Sequence, residues 1–189
     1  MQDPGAPKGR FTDIKKIRNY KVLQITRQVG LRTTFTVESL KTAGALFSIY
    51  AIDLVDSTDL EKNIFLNEIR LFSSINHPFV LKYHECFVDK KNGLICVVLE
   101  HVDSLNFNEI MFRLVYARIH ISVENLWKTI FYTSILMQEL EKYGIGFLEA
   151  NPKSFLQLID GEVKLGAFYG VAHPFVDVKK DKLITENLL

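Results

Sequence analysis

"NEIRLFSSINHPFVLKYHECFVDKKNGLICVVLEH", residues 67–101, carries the change of period on which the fold turns. Its start closes a run from Asp59 to Ile75 in which Leu60, Ile64, Phe65, Leu71, Phe72 and Ile75 recur at helical spacing. Asn76-His77-Pro78 stops that run, because the residue before a proline is pushed out of the helical region. "FVLKYHECFV" (79–88) and "GLICVVLEH" (93–101) then read as strands, and the polar "DKKN" (89–92) joins them as a hairpin. A helix therefore feeds a strand pair.

Upstream, "TFTVESL" (34–40) and "ALFSIYAI" (45–52) are rich in β-branched and aromatic residues, with "KTAG" (41–44) as their turn. Downstream the character changes. Ser122 is placed to cap a helix, Glu124 complements its dipole, and Gly144 suits the position after its end near Tyr143. "SFLQLIDGEVKLGAF" (154–168) reads as a hairpin about Asp160-Gly161. Strands first and helices later predict an α+β protein with a small sheet lobe and a helical lobe.

The 189 residues are 48% hydrophobic, enough for a substantial core. No run of eighteen apolar residues occurs, so no membrane span is expected. The start, "MQDPGAPKGR", lacks the apolar stretch of a signal peptide. Cys86 and Cys96 read as buried free thiols of a reducing, cytoplasmic compartment. Histidines 77, 84, 101, 120 and 173 have no metal-ligand spacing, and no Ser-His-Asp grouping is readable. A net charge of +1 argues against nucleic acid. Residues 1–28 nevertheless hold seven Lys or Arg against two Asp. That is either a solvated tail or a segment docking on an acidic polymer such as a microtubule.

Five stretches in order carry a resemblance: "YAID" (50–53), the quoted helix and strands, "LICVVLEHVDSL" (94–105), "NLWKTIFYTSILMQELEKYGI" (125–145) and "DGEVKLGAF" (160–168). Together, over about residues 19–173, they resemble the protein kinase fold and most closely the NIMA-related kinases. The resemblance implies a basic tail (1–18), a β-rich lobe (19–99) and a partial helical lobe (100–189) that stops short of the later helices of that fold. It also implies a cytoplasmic setting with cytoskeletal partners.

Phosphoryl transfer depends on a few charged groups that position and stabilise phosphate. At those places the resemblance implies losses. Gly30 stands first in the glycine-rich loop, but Arg32 and Phe35 take the other two glycine positions. Asp53 replaces the lysine of the V-A-I-K motif, while its helix partner is Glu68. Two carboxylates about 4 Å apart repel by about 4 kcal/mol at an effective dielectric of about 20. The helix must swing out, one acid must protonate, or a cation such as Arg32 must be recruited; otherwise Asp53 points to solvent. If the two acids are neighbours, a lysine at position 53 restores the pair.

The catalytic loop maps onto residues 147–154, with Glu149 for the base, Asn151 for the lysine and Ser154 for a metal ligand. Ala167 replaces the metal-binding aspartate ahead of Phe168 and Tyr169, and a methyl group holds no Mg²⁺. Val37, Ala51 and Leu156 match the walls of the adenine slot, Leu99 its gatekeeper, and Glu100, His101 and Val102 the hinge. Phe72, Tyr83, Phe147 and Phe168 match the hydrophobic column joining the lobes. Core packing explains all of these without a ligand.

The expectation is a pseudokinase: no catalytic residues, no metal, Mg-ATP binding absent or weak, and a scaffold or allosteric interaction role. The alternative is a weak or atypical serine/threonine kinase using Glu149 and a displaced cation. The predicted helix 122–143 is apolar nearly all round, so a protein partner or self-association is expected to cover it.

Overall fold

The computed structural model describes residues 11–29, 31–117, 120, 122–142, 146–147, 152–167 and 171–172. The described residues divide into two compact units: one through Ser73 together with Tyr83–His101, the other Ser74–Lys82 together with the described residues from Val102 on. The fold is mixed α and β.

The first unit is built on a six-stranded antiparallel sheet in the order β1-β2-β3-β4-β6-β5. Its strands are β1 (Lys16–Ile17), β2 (Tyr20–Val29), β3 (Arg32–Ser39), β4 (Leu46–Asp53), β5 (Tyr83–Asp89) and β6 (Leu94–Glu100). Alternation points Phe35 and Val37 of β3 to one face, where they join Ile17, Ile49, Cys96 and Val98 in the core. β6 buries its first six residues in succession, as a strand covered on both faces does.

The ends of the sheet meet through side chains. Asn92 Nδ2 donates to the Lys16 carbonyl at 3.1 Å, and the Tyr20 hydroxyl donates to Glu85 at 2.6 Å. Tyr20 also stacks on Phe87 with ring centres 6.3 Å apart. The sheet thus curls so that the strands at its two edges are tied together, which hides edge groups that would otherwise invite pairing with another chain.

This closure corrects the expected tail. From Phe11 onward the segment is part of the core: Phe11 and Ile17 are buried, and Ile14 packs beside them. Lys15 and Lys16 between them are exposed, which is why charge alone read the whole segment as solvated.

Helix α1 (Asp59–Ser74) starts with a reciprocal cap, Glu61 N to Thr58 Oγ1 at 3.3 Å and Thr58 N to Glu61 Oε2 at 2.8 Å. It buries Phe65, Glu68, Ile69, Leu71 and Phe72. Leu60 and Ile64, counted in the apolar period, are exposed. The strand expected from Phe79 begins at Tyr83, because residues 79–81 pair instead with the second unit's own hairpin: Leu165 N to Phe79 O at 2.7 Å and Leu81 N to Leu165 O at 3.0 Å. Cys96 sits opposite Phe87 and shares its face, so Cys86 points the other way and the two thiols are free.

In the second unit, β7 (Ser104–Asn106) leads into α2 (Phe107–Ala117), followed by α3 (Val123–Lys142). Three short strands follow, β8 (Gly146–Phe147), β9 (Phe155–Leu158) and β10 (Val163–Leu165), and then β11 (Val171–Ala172). β10, β9 and β7 form one sheet; β11 and β8 form another. A reciprocal cap between Asn106 and Glu109 starts α2, and Ser122 Oγ accepts from Asn125 N at 3.2 Å to start α3. The β9–β10 turn holds Gly161 at φ +89°, a conformation that favours glycine. Among the described residues no helix is long and apolar enough to cross a membrane.

Candidate functional site

The first unit brings together the charged positions that the sequence singled out. β3 starts at Arg32 beside the end of β4, with Arg32 opposite Ile52 and Asp53 next in line. One guanidinium nitrogen of Arg32 donates to both oxygens of Glu68 on α1, at 2.8 and 2.7 Å. The guanidinium also lies 5.7 Å from the centre of the Phe65 ring. Of the outcomes open to Glu68, recruitment of a cation is the one observed. Burial raises the Glu68 carboxyl above its ordinary range; the charge and hydrogen bonds of Arg32 pull it back without cancelling the shift.

Asp53 corrects the alternative in which it points to solvent: it is 1% exposed. Its Oδ1 accepts from the backbone N–H of Val55 at 2.7 Å and of Asp56 at 3.2 Å, closing the turn after β4. Ser57 Oγ donates to its carbonyl. The carboxylate is therefore an internal cap of the β4–α1 connection.

Val37 and Ala51 lie in the core cluster, and Leu99 is fully buried on β6 opposite Ser48. Glu100 and His101 are half-buried, and His101 Nδ1 lies 3.1 Å from Ser48 Oγ. Phe72 is buried and Tyr83 half-buried in the same unit. In the second unit, Val102 is half-buried, while Leu156 and Ala167 are buried. Ser154 is 0% exposed, and its hydroxyl has no hydrogen-bond partner among the described residues. An orphaned buried hydroxyl costs about 1–3 kcal/mol. Gly30, Glu149, Asn151, Phe168 and Tyr169 lie outside the described residues, as does the side chain of Phe147.

Two features escaped the sequence reading. A cavity of about 530 Å³ in the second unit is lined by Leu105, Ile110, Arg113, Ser122, Asn125 and Asp160 among others. It follows from α2, whose period is blurred by apolar residues on its outer side. The other is Arg18, at φ 48° in the β1–β2 turn, which pairs with Glu85 at 3.2 Å and covers the Phe87 ring. No sequence signal marks an arginine for a left-handed position, where glycine is the usual choice. Among the described residues, no group of three or more His, Cys, Asp or Glu side chains is arranged to hold a metal.

No protein-family model matches the chain. It is 20% identical over 111 residues to the probable serine/threonine-protein kinase nek2 of Dictyostelium discoideum, covering 57% of this chain and 27% of that protein. It is 21% identical over 133 residues to the serine/threonine-protein kinase Nek2 of Homo sapiens, covering 68% of this chain and 30% of that one. The chain thus matches less than a third of the length of either relative. The relationship to kinases is distant.

Proposed function

We propose that the chain is a kinase-like module that binds proteins and transfers no phosphate. The observation that carries this reading is the internal use of Asp53, which stands where the resemblance places the motif lysine. Arg32 is bonded to Glu68, and the Asp53 carboxylate is held by two backbone amides. The capped Asp53 offers no cation to phosphate and does not turn toward a metal, both of which a Mg-ATP site calls for. Ala167 and the fully buried Ser154 add no hard, accessible oxygen. The two lobes of a kinase, a cytoplasmic setting and cytoskeletal partners belong to the same proposal and rest on the family resemblance.

The second reading, a weak or atypical serine/threonine kinase, has one observation in its favour. Arg32 supplies Glu68 with the cation that the motif lysine would provide. Thermal denaturation with ATP, with and without Mg²⁺, separates the two. The module reading expects no Mg²⁺-dependent shift in melting temperature. A rise of several degrees that requires both ATP and Mg²⁺ favours the kinase.

A further inference from the structure

Helix α3 carries apolar residues on two sides, and one of them is covered. Leu136 and Leu140 are buried, and Tyr132 on the same side meets Phe79 with ring centres 5.5 Å apart. On the opposite side, Val123, Leu126, Trp127, Ile130, Phe131 and Met137 form a stripe at helical spacing, all of them exposed. Trp127 is 67% exposed and Phe131 61%.

We propose that this stripe is a self-association face, on which α3 of a second copy of the chain packs antiparallel. The proposal rests on the interaction-module reading and names its partner. An aromatic side chain presents roughly 150–250 Å², so the stripe leaves about 600 Å² of apolar surface open, at the upper end for a monomer. Two copies together bury about 1,200 Å², the lower limit for a specific interface.

Charge favours a second copy in the antiparallel sense. Glu124 lies in the first turn and Lys142 in the last. They are about five turns apart, so both stand on the same flank of the stripe. Antiparallel packing sets Glu124 of each copy beside Lys142 of the other and opposes the helix dipoles. Among the described residues these groups bond to near neighbours, Glu124 to Lys128 and Lys142 to Glu139. Such exposed pairs exchange at little cost and therefore fix orientation more than strength. Ser134, near the middle of the stripe, is small, and its hydroxyl donates to Ile130 O at 2.8 Å. The two backbones can approach there without stranding a polar group.

The test is sedimentation of the full chain between about 1 and 100 μM, with the fluorescence of Trp127, its only tryptophan, followed in parallel. The expected mass rises toward twice 21.8 kDa as Trp127 emission moves to the blue. Phe131→Glu, checked for folding by circular dichroism, is expected to weaken association at least tenfold. Glu124→Lys weakens it several-fold, and adding Lys142→Glu restores it. A monomer at 100 μM overturns the proposal, as does an oligomer indifferent to Phe131→Glu or a blue emission independent of concentration. None of these outcomes bears on Mg-ATP, which judges the module reading separately.

Discussion

Arg32 and Glu68, 36 residues apart in sequence, are joined by two hydrogen bonds in a setting where Glu68 is buried and Arg32 mostly so. A buried pair of this kind gives little net stability, but removing one partner leaves a charge stranded. Arg32→Met is therefore expected to cost about 3–5 kcal/mol at pH 7. Changing both residues to apolar ones of similar volume should recover most of that loss. Urea denaturation of the two variants checks both statements.

The pH dependence of the same pair has a definite sign. The folded pKa of Glu68 is raised above its ordinary value, so folding favours its protonated form. Its contribution is fully present below the ordinary pKa and is lost as pH rises through the raised one. Without Arg32 the shift grows. The deficit of Arg32→Met relative to the wild type should therefore shrink between pH 7 and pH 5, whereas Glu68→Gln should flatten the profile over that interval. Denaturation midpoints at several pH values decide it.

Asp53 gives a prediction opposite to the one its motif position invites. A lysine there would restore an ion pair only if position 53 offered Glu68 an unpartnered place. Instead the substitution removes the cap from Val55 and Asp56 and buries an ammonium near the Arg32 end of β3. Asp53→Lys should destabilise, and Asp53→Ala should cost about 1–3 kcal/mol through the lost bonds. Asp53→Asn, which keeps an acceptor, should cost less. A more stable Asp53→Lys would show that the turn does not need its cap.

Much of the architecture was legible because each element carried a local signal of its own. Alternating β-branched and aromatic residues marked β3 and β4 to within about two residues. Ser122 marked the start of α3, and Asp160-Gly161 the last hairpin. β2 was missed: its ladder with β3 shifts register twice, which spoils the alternation. α2 was missed because Met111, Phe112, Val115 and Tyr116 give its outer side the look of a core face. At the candidate site, residue identities came from the sequence but orientations did not. Whether Asp53 caps a turn or faces a cleft depends on the path of residues 54–57, which no spacing rule reports.

Tyr20 closes the curled sheet, and its phenol is held well above the usual range, first by burial and then by Glu85. A raised phenol pKa stabilises the fold below its ordinary value near 10 and loses that stability as pH rises beyond it. Tyr20→Phe should cost about 1.5–3 kcal/mol at neutral pH, the range for a hydrogen bond to a charged group. It should also reduce the alkaline loss, though not abolish it, because Tyr83 is raised as well. Denaturation at pH 7 and pH 11 gives both quantities.

Gly166 tests how tightly the second unit is built. It lies just past β10, where its N–H donates to Ser154 O at 2.8 Å. A methyl group there would meet Leu156 Cδ1 at 2.5 Å and Cγ at 2.6 Å, both inside any real carbon contact. Moving Cδ1 alone gives no relief, since Cγ is fixed close to the β9 backbone and Leu156 is itself buried. Gly166→Ala should therefore cost about 1–3 kcal/mol by overpacking. Adding Leu156→Ala removes the clash, so the second substitution should cost less on the Gly166→Ala background than on the wild type. A double-mutant cycle in urea measures that coupling. Strict additivity would mean that β9 and β10 yield without strain and that the glycine is not needed for packing.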